Sequence, residues 1–155
     1  PDCYSSRRPN SASIGTRAFQ MALYVVFESN LQMLADNPTL YNMYPDCRDY
    51  IASCPVNWDE TRVLAAEFGE YTIVARRSGN KWYIGGITNE TARDIDVKLD
   101  FLAEGLSYNA TSFTDGINSS VQAMDYRKES TRLSRNSTIR IHMVRNGGYA
   151  AVLEP

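Results

Sequence analysis

Three polar residues in the first quarter of the chain could bind a substrate: Glu28, Gln32 and Asp36. Asp36 follows a short apolar run over 31–34, which is typical of a buried parallel strand. In a (β/α)8 barrel, residues that follow such strands face the active site, so Asp36 would reach a substrate hydroxyl. Asp36 could instead cap the next helix, since Asp-Asn-Pro is a good helix opening. Glu28 and Gln32 are equally compatible with hydrogen bonds to the barrel wall.

The sequence Trp58-Asp-Glu-Thr61 resembles a catalytic motif because it places two carboxylates beside an aromatic ring. Adjacent residues of a strand point to opposite faces, so Asp59 and Glu60 cannot act together on one bond. We therefore interpret this segment as structural. Four aromatic residues could stack on a sugar, although core packing or docking is the favoured interpretation: Trp58, Trp82, Tyr83 and Tyr149.

The cysteines and the single histidine do not have the spacing of metal ligands, so no metal site is predicted in this chain. Cys47 and Cys54 are two helical turns apart, about 10 Å along a helix axis. That separation is too long for a disulfide unless the segment bends. The sequence therefore leaves two alternatives: a Cys47–Cys54 disulfide or two free thiols.

Four Asn-X-Ser/Thr sequons are candidate acceptors for N-glycosylation. They begin at Asn89, Asn109, Asn118 and Asn136, and all lie near predicted turns or strand ends. Glycosylation at these positions is expected if the source secretes the protein through a glycosylating pathway. In a bacterial source the four sequons would be accidental.

The elements that must position these residues begin with a helix–strand–helix pattern. Residues 1–15 are predicted as coil, and Thr16 is a suitable N-cap for a helix over 17–28 that is apolar on nearly all faces. The strand over 31–34 and a helix over about 39–52 follow. This order is typical of the last units of a (β/α)8 barrel whose earlier strands are not in the chain.

After Pro55 the apolar period changes from 3.6 to 2 residues. Turns rich in Gly and Asn separate eight short predicted strands without helices between them. These strands are predicted at 63–68, 71–77, 82–88, 95–100, 108–114, 126–133, 138–143 and 149–153. The predicted fold class is mainly β, with an antiparallel β-sandwich over 55–155 preceded over 1–54 by a helix–strand–helix remnant of a (β/α)8 barrel.

The inward positions of these strands give a predicted sandwich core: Val63, Tyr71, Ile73, Ala75, Trp82, Ile84, Val97, Leu99, Phe113, Ile139, Ile141, Ala151 and Leu153. Composition excludes several classes of partner. A net charge of −2 without a Lys/Arg run does not indicate a nucleic-acid-binding surface. The longest apolar run, over 21–27, is far shorter than the roughly 20 residues of a membrane-spanning helix. The polar first 13 residues do not form a signal peptide.

Several collinear stretches carry a family resemblance. In the barrel remnant they are Gly15-Thr-Arg17, Gln20-Met-Ala-Leu-Tyr-Val-Val-Phe-Glu-Ser29 and Leu31-Gln-Met-Leu-Ala-Asp-Asn-Pro38. In the β-domain they are Trp58-Asp-Glu-Thr61, Gly69-Glu-Tyr-Thr-Ile-Val-Ala-Arg-Arg77, Trp82-Tyr-Ile-Gly-Gly-Ile-Thr-Asn89, Asp115-Gly-Ile-Asn118 and Gly147-Gly-Tyr-Ala-Ala-Val152. Together they resemble the C-terminal part of glycoside hydrolase family 97, the calcium-dependent α-glucosidases and α-galactosidases of polysaccharide-degrading bacteria. Phe19 and Asn30 depart from the family, which usually has His and Pro there.

The resemblance implies a parent enzyme that cleaves α-glycosidic bonds of oligosaccharides or polysaccharides with two carboxylates and a glutamate-bound calcium ion. Those residues lie earlier in the barrel, so the chain alone is expected to be inactive, with no catalytic residue and no calcium site. The β-sandwich would brace the barrel. The resemblance further implies a carbohydrate substrate and a periplasmic or secreted location.

The apolar segment from Arg17 to Leu34 is expected to need a covering partner. Phe19, Leu23, Val26, Phe27 and Met33 should be either exposed or buried by something other than residues 55–155. That partner is the rest of the barrel, another copy of the chain, or a different chain. The alternative to an enzyme fragment is a stand-alone, non-catalytic structural or glycan-associated module that assembles with itself or with a partner chain.

Overall fold

The alternating sequence after Trp58 folds into strands, and the sequence before it folds into helices. The computed structural model describes residues 14–34 and 38–155. Its helices are α1 (Arg17–Val26), α2 (Pro38–Met43) and α3 (Pro45–Ser53). Its strands are β1 (Glu60–Glu67), β2 (Tyr71–Ser78), β3 (Lys81–Thr88), β4 (Arg93–Lys98), β5 (Ser107–Asp115), β6 (Tyr126–Ser134), β7 (Thr138–Met143) and β8 (Gly148–Glu154). All eight predicted strands are present, each within three residues of its predicted ends.

The strands form two antiparallel sheets that pack face to face. The larger sheet has the strand order β1-β2-β3-β8-β5-β6, and β4 pairs with β7 in the smaller one. Apolar side chains from both inner faces fill the space between them. This core contains Ile73, Ala75, Trp82, Ile84, Val97, Leu99, Phe101, Leu102, Tyr108, Ala110, Ile141, Met143, Tyr149, Ala151 and Leu153, with Tyr71 and Ile139 packed against it. The predicted antiparallel sandwich is confirmed.

Two of the predicted core residues lie elsewhere. Val63 is 66% exposed, because a bulge between Val63 and Ala65 in edge strand β1 shifts the alternation of its side chains. Val63 lies opposite Val74, on the face of the large sheet that points away from the sandwich core. Phe113 is buried, but on that same outer face and not between the sheets.

Helix α1 covers this outer face with one stripe of apolar side chains. Ala18, Met21, Ala22 and Val25 are buried, so the helix lies on the sheet with one apolar stripe. Gly85 allows the close approach, because a Cβ there would lie 2.8 Å from the Val25 Cβ. The molecule therefore has three layers: the small sheet, the large sheet and the helices. The boundary predicted between 54 and 55 stays a prediction, since helices and sheet share buried clusters.

The predicted strand over 31–34 is wrong, because these residues are coil. A parallel strand needs neighbouring strands to pair its N–H and C=O groups. Within 14–34 and 38–155, every strand belongs to one of the two sheets of the sandwich, and none pairs with 31–34.

The helix predicted over about 39–52 is present as α2 and α3. Tyr44, before Pro45, has non-helical angles (φ −130°, ψ 69°) because proline disfavours the helical conformation in the residue preceding it. Across the described ranges, no helix is long and apolar enough to cross a membrane.

Candidate functional site

The N-terminal end of α1 is held by a buried carboxylate. The Thr16 hydroxyl caps the helix by accepting a hydrogen bond from the Phe19 N–H at 3.1 Å, and it donates to Asp115 Oδ1 at 2.6 Å. Asp115 Oδ2 accepts the N–H groups of Val144 at 2.9 Å and Gly148 at 3.1 Å. Burial raises the pKa of Asp115, and these three hydrogen bonds offset part of that shift. Asp115 thus joins α1, the end of β5 and the β7–β8 turn.

The C-terminal end of α1 is held by Arg76, whose side chain is only 7% exposed. Its Nη2 donates to the Val26 carbonyl at 3.2 Å, which satisfies one of the carbonyls left unpaired at the helix end. Its Nη1 donates to the Glu28 carboxylate at 3.1 Å and to the Thr61 hydroxyl at 3.3 Å. Arg76 therefore attaches α1 to strands β1 and β2.

Helix α3 is attached to the same face by polar and aromatic contacts. The Arg17 guanidinium lies 3.7 Å from the centre of the Tyr44 ring, which is the geometry of a cation–π contact. The Tyr126 hydroxyl donates to the Asp46 carboxylate at 2.8 Å. Burial and the nearby Cys47 and Asp46 raise the pKa of Tyr126, so this hydroxyl keeps its proton and remains a donor. The contacts fix α3 beside α1.

The two described residues of the predicted substrate-contacting set, Glu28 and Gln32, have separate partners within the protein. Glu28 is paired with Arg76, and the Gln32 side-chain amide donates to the Tyr24 carbonyl at 3.2 Å. Gln32 also lines a small pocket of about 180 Å³ between α1 and α3. Asp36 lies outside the described residues, so its predicted role stays a prediction. Both described residues therefore make structural contacts.

The acidic pair at the start of the β-domain is also structural. Asp59 accepts the Gly79 N–H at 2.7 Å, and Glu60 pairs with Arg62 at 2.6 Å. The Trp58 ring packs edge-on against Tyr83, with ring centres 5.3 Å apart. The two carboxylates thus contact the β2–β3 turn and strand β1, which agrees with the structural interpretation of this segment.

Cys47 and Cys54 are both free thiols in the structure, so no disulfide joins them. Cys47 is buried within α3, and Cys54 follows its end. Burial raises the pKa of both thiols, that of Cys54 to about 12. They therefore stay protonated at neutral pH and are poor nucleophiles.

The four sequon asparagines differ in how their side chains are engaged. The Asn89 amide donates to the Gly69 carbonyl at 3.2 Å, and its oxygen accepts the Thr91 N–H and an Arg93 N–H. Asn109, Asn118 and Asn136 are exposed. Glycosylation stays a prediction at all four, and Asn89 would have to break these contacts to be modified.

The residues present do not fit a calcium ion. In the part of the chain that the structure describes, no three Asp, Glu, His or Cys side chains come together as a metal site. Calcium needs six to eight oxygen ligands, including several carboxylates. The single histidine, His142, is exposed and pairs with Asp94 at 2.8 Å.

Exposed apolar side chains concentrate where α1 ends. Phe27 is 59% exposed and Met33 is 80% exposed, and Leu31 and Leu34 are also exposed. These four residues are called the end patch below. Phe19, Leu23 and Val26 are partly buried. Val26 packs on the cluster around Val74, so the β-domain covers more of α1 than the sequence predicted.

Among the described residues, Asp115 and Arg76 are the buried charged ones, and the sequence does not single out either. In the sequence Asp115 precedes a glycine, and Arg76 is one of two adjacent basic residues. Their signals are weak and depend on position. Arg76 lies on the same face of β2 as Val74, and Asp115 is the last residue of β5.

Comparison with known proteins agrees with this architecture. The sequence model described as glycosyl-hydrolase 97 C-terminal, oligomerisation, matches residues 57–154. The chain is 45% identical over 148 residues to a retaining alpha-galactosidase of Bacteroides thetaiotaomicron, covering 96% of this chain and 22% of that protein. A probable retaining alpha-galactosidase of Streptomyces bingchenggensis is 34% identical over 146 residues, which cover 94% of this chain and 21% of that protein.

A solved structure extends the match to the helices. A glycoside hydrolase family 97 enzyme from Pseudoalteromonas sp. strain K8, in complex with panose, superposes with a TM-score of 0.86 and 33% identity. The superposition covers 90% of this chain and 22% of that one. The chain therefore spans about a fifth of the length of its relatives. With the model match over most of its length, the chain belongs to glycoside hydrolase family 97 and contains the C-terminal domain of that family.

Proposed function

We propose that this chain is the non-catalytic C-terminal part of a retaining α-galactosidase, and that it braces the catalytic barrel. Its helices would form the last outer segment of the barrel wall. Its β-sandwich would hold that segment in place from outside through Asp115 and Arg76. The chain would supply no catalytic carboxylate of its own.

The observation that carries this proposal is the position of the end patch relative to the sheet. Ala18, Met21, Ala22 and Val25 face the sheet, whereas Phe27 and the following coil are exposed at the end of the helix. In a (β/α)8 barrel a helix lies between the strands of the barrel and whatever packs outside it. Strands of the parent barrel would cover the end patch and would give residues 31–34 neighbours with which to pair.

The substrate class follows from the relatives and not from a pocket in this chain. Both relatives described above are named as retaining or probable retaining alpha-galactosidases, and the first is 45% identical to the chain. Retention of configuration requires two carboxyl groups roughly 5–5.5 Å apart. The described acidic residues near the barrel side form structural pairs, as Glu28 does with Arg76. The catalytic pair would therefore lie in the preceding part of the polypeptide.

Calcium and cellular location belong to the parent enzyme in this proposal. The described residues offer no calcium site, so glutamates of the preceding barrel would hold the ion. The protein would act in the periplasm or outside the cell, where polysaccharide fragments are met. The resemblance to enzymes of polysaccharide-degrading bacteria supports that location.

Self-association is the second candidate role. The matching family model carries the description oligomerisation, and the end patch offers an apolar surface to another copy. In this case the chain would be a stand-alone module, and the exposed residues would be buried between copies. A glycan-associated module needs an exposed aromatic platform, but Trp82, Tyr83 and Tyr149 are buried. Trp58 is partly buried and packs edge-on against Tyr83.

The test combines intact mass with activity. The native polypeptide should be several times longer than 155 residues and should hydrolyse an aryl α-galactoside faster than an aryl α-glucoside. The purified 155-residue chain should turn over neither substrate. Turnover by that chain, or a native polypeptide of this length, would contradict the proposal. A long polypeptide that prefers the α-glucoside would keep the bracing role and remove the assignment to α-galactosides.

A further inference from the structure

Helix α1 has two flanks, and only one of them is occupied by another described helix. On the first flank, Arg17 contacts Tyr44, and Met21 packs with Cys47 and Tyr50 of α3. Phe19 lies roughly 200° around the helix from Arg17, at about 100° per residue, so it faces the other side. The second flank therefore points toward strands β1 and β2.

An open groove runs along this second flank. Its volume is about 640 Å³, and its lining includes Phe19, Ala66, Phe68, Tyr71, Thr72 and Ile87. Phe68, at the β1–β2 turn, is fully exposed, and Val63 on the same outer face is 66% exposed. Leu23 lies one turn after Phe19 and continues its apolar stripe. This cavity is called the flank groove. Its apolar surface comes from Phe19, Ala66, Phe68, Tyr71 and Ile87, and its lining also includes the polar residues Glu67, Glu70, Thr88, Asn89 and Asn146.

We infer that the flank groove holds the helix that precedes α1 in the same polypeptide. This inference rests on the proposed function, because it requires a barrel upstream of residue 14. Helices of a (β/α)8 barrel form a closed outer ring, so each helix has a neighbour on both flanks. Here α3, which follows α1 in the chain, occupies one flank, and the preceding helix is due on the other.

Three observations favour this occupant over a second copy of the chain. The chain accounts for only 22% of the first relative's length, and the match is to the C-terminal domain of the family. A family 97 enzyme superposes on 90% of this chain, so the superposition extends beyond residues 57–154 into the helical segment. The groove also includes Phe19, in the first turn of α1, which is the end of the helix that a preceding element joins. The C-terminal domain would then brace two adjacent barrel helices instead of one.

Cysteine labelling tests the inference on the native polypeptide and on the 155-residue chain. Val63→Cys places a thiol in an exposed position beside the groove, where it should not disturb folding. Thr138→Cys is the matched control, exposed on strand β7 of the small sheet, on the opposite side of the sandwich. Maleimide labelling of each peptide is followed by mass spectrometry, which separates the new thiols from Cys3, Cys47 and Cys54.

The thiol introduced at position 63 should label as fast as the thiol introduced at position 138 in the short chain. In the native polypeptide the thiol at position 63 should label more slowly than that control, by a factor of about ten or more. Equal labelling of position 63 in both proteins would overturn the inference. Protection that appears in the short chain as its concentration rises would also overturn it, because a second copy would then be the occupant.

Aryl α-galactosidase activity, measured on the same native sample, separates this inference from the proposed function. Protection of position 63 without activity would remove the assignment to α-galactosides and leave both the bracing role and the helix in its groove. Activity without protection would keep the proposed function and overturn the inference.

Discussion

The β-sandwich and the helical segment differ in how their apolar side chains are covered. In the sandwich, Ile84, Leu153 and their neighbours are fully buried between two sheets that lie wholly within the chain. In the helical segment, only one stripe of α1 is buried, and the end patch is exposed. The difference teaches that the sandwich contains its own core, whereas under the proposed function the exposed side of the helices is covered by the parent barrel.

The difference between the two regions is tested by truncating one side chain in each and comparing the free energies of unfolding. Ile84→Ala should lower the free energy of unfolding of the short chain by about 2–5 kcal/mol, because it leaves a cavity in a close-packed core. Phe27→Ala should change it by less than about 0.5 kcal/mol, since the ring is largely solvated. Urea denaturation measures both variants. Equal losses would mean that α1 and the sandwich form one self-sufficient core.

The next largest effect is expected at the junction of the two regions. Asp115→Ala should cost about 2–4 kcal/mol, because two buried donors and one partly buried donor lose their acceptor. Asp115→Asn is the matched control and should cost no more than about 1 kcal/mol. Its amide oxygen can accept the two backbone N–H groups, and its NH₂ can donate to Thr16. Thermal unfolding followed by circular dichroism compares them, and similar losses would show that charge and not hydrogen bonding holds α1.

A smaller effect is expected at the other end of α1. Arg76→Met keeps much of the buried volume but leaves the Val26 carbonyl unpaired, so we expect a loss of about 1 kcal/mol. The pair with Glu28 adds little, because that carboxylate is well exposed. Arg77→Met, on the neighbouring and more exposed arginine, should cost less. Amide hydrogen exchange should show faster exchange in the last turn of α1 for Arg76→Met alone.

The smallest effect is the pH dependence due to Asp115. Burial raises its pKa above the ordinary value of 3.8, so the folded protein holds this proton more tightly than the unfolded chain. Its contribution to stability should therefore be largest at low pH and should fall as pH rises from 3.8 through the raised pKa. Stability of the native sequence relative to Asp115→Asn should decline over that window. A relative gain with rising pH would contradict the assigned direction.

Comparison with Asp115→Asn isolates this effect from other carboxylates. Hydrogen bonds to Arg62 and Arg77 lower the pKa of Glu60, and a hydrogen bond to His142 lowers the pKa of Asp94. A group with a lowered pKa contributes less to the stability of the folded protein as pH falls, which is the opposite direction to Asp115. Both proteins carry these groups, so their contribution cancels in the difference.

The sequence predicted the strands well and the helical segment less well, for a physical reason. Strand alternation and turn residues are local signals, and every described strand finds its partner within the chain. The predicted strand over 31–34 depends on partners that are not among the described residues. Val63 was misplaced because a bulge cannot be seen in a period-2 pattern.

The sequence did not indicate the roles of Asp115 and Arg76, because these roles depend on distant parts of the chain. Asp115 meets Thr16 across 99 positions, and Arg76 meets Val26 across 50. No local pattern encodes such a pairing. Thr16 itself was predicted as the N-cap of α1, and the structure confirms it. The sequence therefore indicated one partner of the Asp115 cluster but not the carboxylate that completes it.

Methionine oxidation tests most directly the claim that the end of α1 is covered by the rest of a longer polypeptide. The chain has five methionines, of which Met21 and Met143 are buried and Met33, Met43 and Met124 are exposed. Peroxide treatment followed by mass spectrometry gives the rate at each position. In the short chain, Met33 and Met43 should oxidise rapidly and Met21 and Met143 slowly. In the native polypeptide, Met33 should become as slow as Met21, whereas an unchanged fast rate at Met33 would contradict the account.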